Sequence, residues 1–268
     1  MTQPIAYAAG PWASVRRALA VSARNVAAAS HPSYLWVLLS GLFEPAFYLF
    51  SIGLGVGSLV GSITVDGEAV SYVRFVAPAM LAASVMNGAM SEATFNFFTK
   101  LRMMRLHDAT ACTPVSSTEM VLGEVLWSVA RGAVHSIPFL VLMQLMGLID
   151  AAQIPGLFVV TLLTGFAFGA LGAAISTFLR GTHDFDRVNL FTFVMFVFSG
   201  TFAPVSEYPL FLGPLAQATP LWQAVALTRD LSTGTFGWDS ALHCGYLVVL
   251  AVLAMAVASR RMERTLRG

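Results

Sequence analysis

Charge is scarce in this sequence: 11% of its 268 residues are Asp, Glu, Lys or Arg, against roughly a quarter in soluble domains. With 57% hydrophobic residues and a mean hydropathy of +0.74, that scarcity excludes an ordinary soluble domain and defines an integral membrane protein. Cysteine is nearly absent. Cys112 and Cys244 fall in a polar stretch and in the last apolar run, which excludes a disulfide framework and a cysteine metal site. Motifs of chemistry are missing as well: no GxxxxGK[ST] for nucleotides, no HExxH for zinc and no GxSxG nucleophile elbow. His183, Asp184 and Asp186 lie close together, but beside Arg180 and Arg187 they read as a solvated loop, so no metal site is expected. The N-terminus lacks a compact apolar core with a small-residue cleavage site, so the first span is expected to act as its own insertion signal.

What is present is a series of long apolar runs. A hydrocarbon core of about 30 Å needs about 20 helical residues. That ruler marks six spans, near Tyr34–Val60, Val73–Thr94, Met120–Ile149, Pro155–Leu179, Asn189–Pro204 and Ala241–Ser259. Before them, Trp12, Val15, Leu19, Ala23 and Val26 share one helical face and Arg17, Arg24 and Asn25 the other, the pattern of an interfacial helix over residues 10–30. After the short fifth span, Pro204, Pro209, Pro214 and Pro220 break a stretch too greasy for a solvated loop. Residues 202–240 are therefore expected to form a re-entrant helical segment at the outer face. The expected fold is all-α: one membrane domain over residues 1–268, with six transmembrane helices.

Arginine sets the orientation. Arg16, Arg17, Arg24, Lys100, Arg102, Arg105, Arg180, Arg187, Arg260, Arg261, Arg264 and Arg267 all fall in segments that are cytoplasmic if both termini are inside, which satisfies the positive-inside rule. Trp36, Trp222 and Trp238 suit an aromatic belt.

Lys100–Glu124 is the longest polar interruption in the first half of the chain. Ser116 and Glu119 have the S-x-x-E spacing of a capping box, and Pro114 discourages helix continuation from upstream. The stretch thus reads as a short helix or helical extension over Lys100–Ala111, a turn, and a helix start containing Ser116, Glu119 and Glu124. A basic, rigidly connected loop suits contact with a soluble partner. A topology signal alone is the other reading.

Glu44 and Arg131 lie deepest in their spans, each at an insertion cost of about 2.5–3.5 kcal/mol. They line a transport path or form a structural pair, and His135, one turn beyond Arg131, extends the same face. Gly165 and Gly169 form a GxxxG, suited to packing within the chain or to a dimer seam.

TPVSSTEMVLGEVLW (Thr113–Trp127) and SGTFAPVSEYPLFLGPLAQATPLWQAVALTRDLSTG (Ser199–Gly234) resemble the two signature regions of bacterial ABC-2 type permeases. EPAFYLFSIGLGVG (Glu44–Gly57) resembles the NodJ-like branch, named for exporters of lipo-oligosaccharide signals; daunorubicin-resistance-type permeases are similar. The resemblance covers nearly the whole chain. It implies a homodimeric permease in the bacterial cytoplasmic (inner) membrane, served by two copies of a separate cytosolic ABC ATPase that holds the ATP and Mg. No cofactor is expected in this chain, and no nucleic-acid partner. In such permeases the interfacial helix and the loop over residues 98–114 meet the ATPase, which here implicates Arg17, Arg24, Lys100, Arg102, Arg105, Leu106, His107, Asp108, Thr110, Thr113 and Pro114. The segment with Pro204, Pro209 and Pro220 corresponds to the outer gate. The implied function is export of an amphipathic glycolipid or lipo-oligosaccharide, with drug efflux as the alternative. An ion-coupled carrier or membrane enzyme would require more buried acids or a catalytic motif, and a regulatory scaffold would leave the permease pattern unexplained.

Overall fold

The computed structural model describes residues 11–29, 47–51, 55–65 and 68–267. Its helices are α1 (Pro11–Ala29), α2 (Tyr72–Ser91), α3 (Leu106–Ala111), α4 (Ser117–Leu145), α5 (Ile154–Ser176), α6 (Asp184–Val197), α7 (Leu212–Gln217), α8 (Pro220–Thr233) and α9 (Trp238–Arg267), with a one-turn helix at Gly57–Val60. Four helical stretches among the described residues are long and apolar enough to cross a membrane: Tyr72–Met103, Ser117–Leu145, Ala151–Ser176 and Trp238–Leu266. The first expected span falls largely outside the described residues, and so does Glu44. The fifth is realised as α6, whose 14 residues extend about 21 Å and fall short of a hydrocarbon core.

α5 is the central helix, packed against α2, α4, α8 and α9. Its Gly165 and Gly169 face Val129 and Ser128 of α4, so the GxxxG serves packing within the chain. The core around it is built from Ala79, Ala82, Met86, Phe168, Leu221 and Ala224, all at most 1% exposed.

α2 does not stop at Ser91. It runs on through two π-helical turns, Glu92–Asn96 and Thr99–Met103, making one helix of 32 residues. In a helix of 3.6 residues per turn, Glu92 and Lys100 would stand about 80° apart. The slower winding of π turns brings them closer in line, and both side chains reach α4. At Arg105 the backbone turns left-handed (φ 51°), uniquely for a non-glycine among the described residues, and α3 follows at once.

α4 opens on a closed capping box: Ser116 N donates to Glu119 Oε2 at 2.8 Å and Glu119 N to Ser116 Oγ at 3.3 Å. It ends at Gly147 (φ 68°), where Leu148 N donates back to Met143 O and Gly147 N to Gln144 O, both at 2.9 Å, the Schellman pattern. At the far end from α3, the all-α expectation needs an addition. Strands β1 (Ser62–Val65) and β2 (Glu68–Ser71) form an antiparallel hairpin that pairs Ile63 with Val70 and Thr64 with Ala69.

Residues 202–240 hold a 3-10 turn at Val205–Glu207, then α7 and α8, with Thr219 accepting from Trp222 N to cap α8 behind Pro220. Pro204 precedes the 3-10 turn and exposed Pro209 leads into α7. Arg229 of α8 ties this segment to the bundle. Its Nε donates to Phe75 O at 3.2 Å and its Nη2 to Gly200 O at 2.8 Å, with the guanidinium 3.7 Å from the Phe75 ring centre. Gly200 is required there, because it has φ 70° and a Cβ would come within 2.9 Å of Val205 Cγ2.

Candidate functional site

The basic end of the bundle is organised by two carboxylates in the first two turns of α4. Glu119, third residue of the helix, has both oxygens occupied. Oε2 accepts from Ser116 N and from Arg17 Nε at 2.9 Å, while Oε1 accepts from Arg17 Nη2 at 2.6 Å and from Ser14 Oγ. The Arg17 fork is bidentate, the strongest geometry for such a pair. The hydrogen bonds to Glu119 raise the half-buried Arg17 further above its already high range.

Glu124, a turn and a half deeper and 5% exposed, joins four elements at once. Arg24 Nη2 donates to its Oε1 at 3.0 Å, and Asn25 Nδ2 at 2.9 Å and Lys100 Nζ at 2.6 Å donate to its Oε2. His107 of α3, fully buried against Phe97, brings Nε2 to 3.5 Å from Oε1, a charge-distance contact longer than a good hydrogen bond. Lys100 also donates to Asn25 Oδ1 at 3.0 Å and Arg24 to Thr110 Oγ1 at 3.2 Å. One buried acid is thereby shared among α1, the end of α2, α3 and α4.

Packing brings these groups within reach. α1 lies along α4 with Ala18, Val21, Ser22 and Asn25 buried. The backbones nearly touch at Gly123, where a Cβ would fall 2.6 Å from Ala18 O and from Val21 Cβ. The other face of α1, with Trp12, Val15, Leu19 and Val26, is exposed, as an interfacial helix requires.

The loop side chains implicated by the resemblance therefore divide into two sets. Arg17, Arg24, Lys100 and His107 turn inward to the two carboxylates, and Thr110 accepts from Arg24 beside them. Arg102, Arg105, Asp108, Thr113 and Pro114 are exposed, together with Met103 and Met104 at 63% and 69%, while Leu106 is half-buried. The outward set presents two arginines beside two flexible thioethers, with Asp108 as its one acid.

Deeper in α4, Arg131 forms an ion pair with Glu92, whose other oxygen accepts from Trp127 Nε1 at 2.8 Å. Glu92 is 5% exposed and begins the first π turn of α2. His135 stands half-buried one turn beyond Arg131. Sequence reasoning overlooked Glu92, Ser14 and Arg229. The signal for Glu92 was available, since an acid eight residues before Lys100 and inside an apolar run needs a cation, and Arg131 is one.

Four long apolar helices among the described residues, with α1 and the end of α2 ion-paired to α4 at one end, define a polytopic membrane protein. Residues 58–260 match the model of the ABC-2 family transporter proteins, and the chain belongs to that family. It is 30% identical over 260 residues, 94% of each chain, to nodulation protein J of Rhizobium leguminosarum bv. trifolii. Against the proteins of the same name the figures are 29% over 258 residues for Rhizobium meliloti (95% and 94% of the two chains) and 29% over 230 for Sinorhizobium fredii (85% and 86%). The chain is thus an ABC-2 permease of the NodJ-like type, a membrane-embedded transport subunit.

Proposed function

We propose that this chain is the membrane permease of an ATP-driven exporter in the bacterial cytoplasmic membrane, and that it moves an amphipathic glycolipid or lipo-oligosaccharide. Two copies form the pathway, and two copies of a separate cytosolic ABC ATPase dock on the basic ends. The observation that carries this reading is the division of the loop: Arg102, Met103, Met104 and Arg105 point outward, while Lys100 and His107 of the same stretch are locked to Glu124. A partner that displaces α3 therefore displaces α1 and α4 with it, because all three hold one carboxylate. Membership of the ABC-2 family and the lack of any P-loop in the chain support an ATPase in another polypeptide. Likeness to the nodulation J proteins supports the cargo class.

The test is Arg102→Glu/Arg105→Glu in the permease co-expressed with its ATPase and reconstituted in lipid. Expected is loss of co-purification or, where the complex survives, a transport rate at least about tenfold lower, each exposed pair at a charged interface being worth about 1–2 kcal/mol. Unchanged assembly with unchanged transport removes the docking surface. Comparison of extracted lipids between a deletion strain and its complement reads the cargo, and a strain altered in drug tolerance alone replaces the glycolipid by a drug.

A further inference from the structure

Between the end of α5 and the start of α6, at the same basic end but apart from the clamp, lies an open cleft of about 380 Å³. Its floor is apolar: Ile175, Leu179, Val188 and the half-exposed Phe178 and Phe191. Its rim carries Arg180 and Arg187, and Arg261 of α9 lies over the Phe178 ring at 3.7 Å from the ring centre. The acid at the rim, Asp184, is already engaged. Its Oδ2 accepts from Arg180 N at 2.8 Å and Gly181 N at 3.4 Å, and its Oδ1 from Arg187 Nη1 at 3.0 Å. Those backbone donors hold its carboxyl below the usual Asp range, so it stays ionised and keeps the loop closed. Two arginines therefore stand on the rim with one spent carboxylate, and a third stacks on its Phe178 wall. Arg180 enters none of the ion pairs among the described residues, and Arg261 Nε is buried without a hydrogen-bond partner among them.

We infer that this cleft binds an anionic phospholipid of the adjoining leaflet, with the phosphate held between Arg180, Arg187 and Arg261 and an acyl chain laid over Val188 and Phe191. Charge complementarity selects the occupant. A zwitterionic lipid would bring a second cation to a rim that already has an excess, and an uncharged apolar chain would leave the rim unpaired. The cleft volume falls within the range of small-ligand sites. The apolar floor continues into the exposed face of α6, Leu190, Phe193 and Val194, so the site opens sideways along the helix.

The full-length permease is reconstituted as Phe191→Trp in phosphatidylcholine vesicles holding a minor fraction of phosphatidylglycerol brominated on its acyl chains. Quenching is read as the difference from the parent chain. Expected is a local enrichment of phosphatidylglycerol about fivefold over the bulk, the worth of about one uncompensated arginine near a lipid surface. The enrichment falls to the bulk value in Arg180→Gln/Arg187→Gln and persists in Arg102→Gln/Arg105→Gln. Native mass spectrometry of the unmodified chain and of Arg180→Gln/Arg187→Gln, counting phosphatidylglycerol retained, gives the same comparison without the tryptophan. Equal quenching by brominated phosphatidylcholine overturns the inference, as does equal loss of enrichment in the two arginine pairs. Absence of quenching by either lipid also overturns it.

Discussion

Glu124 has more partner residues than any other acid among the described residues, drawn from three elements besides its own: Arg24 and Asn25 of α1, Lys100 at the end of α2 and His107 of α3. A carboxylate can accept about four hydrogen bonds, and this one is near that limit. Replacement by Gln keeps the shape but removes the charge facing two cations and places an amide donor against Lys100. The expected cost is about 2–4 kcal/mol, below the upper range for a fully buried pair because Arg24 remains a third exposed. Thermal midpoints from fluorescence-detected size exclusion measure it, and Lys100→Met/Glu124→Met is expected to be more stable than Glu124→Met alone. If Glu124→Met and the double variant melt together, Lys100 is not held by this acid. The inward set was not legible in the sequence as such. Arg17 and Arg24 are separated from Glu119 and Glu124 by 102 and 100 residues, and no local periodicity records a contact at that distance. The positive-inside rule accounts for their side of the membrane, and it is silent on whether they meet water, lipid or an acid.

At the scale of elements, α1 is joined to α4 as much by a missing side chain as by charge. Gly123→Ala sets a methyl 2.6 Å from the Ala18 carbonyl oxygen, and neither backbone can yield without separating the helices. The expected result is release of α1 while α4 stays in the membrane. It is read as lost disulfide cross-linking between Ser22→Cys and a cysteine on the facing turn of α4, in a chain freed of Cys112 and Cys244. Full cross-linking in the alanine variant would show that the helices do not touch there. Element boundaries were partly legible. Ser116 and Glu119 have capping-box spacing in the sequence and close as one in the structure. The β-hairpin was legible in principle, since SITV alternates and is followed directly by Asp66-Gly67, a strong hairpin dipeptide, and EAVS. A ruler set to 20-residue runs passes over four-residue strands. A helical extension or short helix was expected over Lys100–Ala111, and the structure holds both, the end of α2 at Met103 and α3 from Leu106; what spacing did not record is the pair of π turns, which leave Lys100 turned to Glu124 and Arg102 exposed.

For the whole molecule, the ends differ in charge, and the positive-inside rule predicts that the arginine-rich end faces the cytoplasm. Cys112, exposed beside α3, reports on it directly. In a Cys244→Ser background, a membrane-impermeant maleimide is expected to label Cys112 in inside-out vesicles and to leave it unlabelled in intact spheroplasts. The reverse pattern places α3 outside and ends the docking proposal. Membrane class and family were legible from composition and two signature stretches, because both are properties of long segments. The number of crossings was less so. Asn189–Pro204 is apolar enough for a span, yet its helix covers only Asp184–Val197 and is interrupted by the Ser199–Gly200 turn, where Arg229 takes the Gly200 carbonyl. That arginine arrives from 29 residues further along the chain, and burial draws its pKa down to about 9, which leaves it charged at neutral pH.

Arg105 sets the angle between a helix of 32 residues and α3 by its own two dihedrals. A left-handed, non-glycine residue holds about 1–3 kcal/mol of conformational energy that the surrounding contacts must outweigh. The joint is therefore sprung: the contacts of α3 with Glu124 and Phe97 hold Arg105 in a backbone state that it would leave downhill if they were broken.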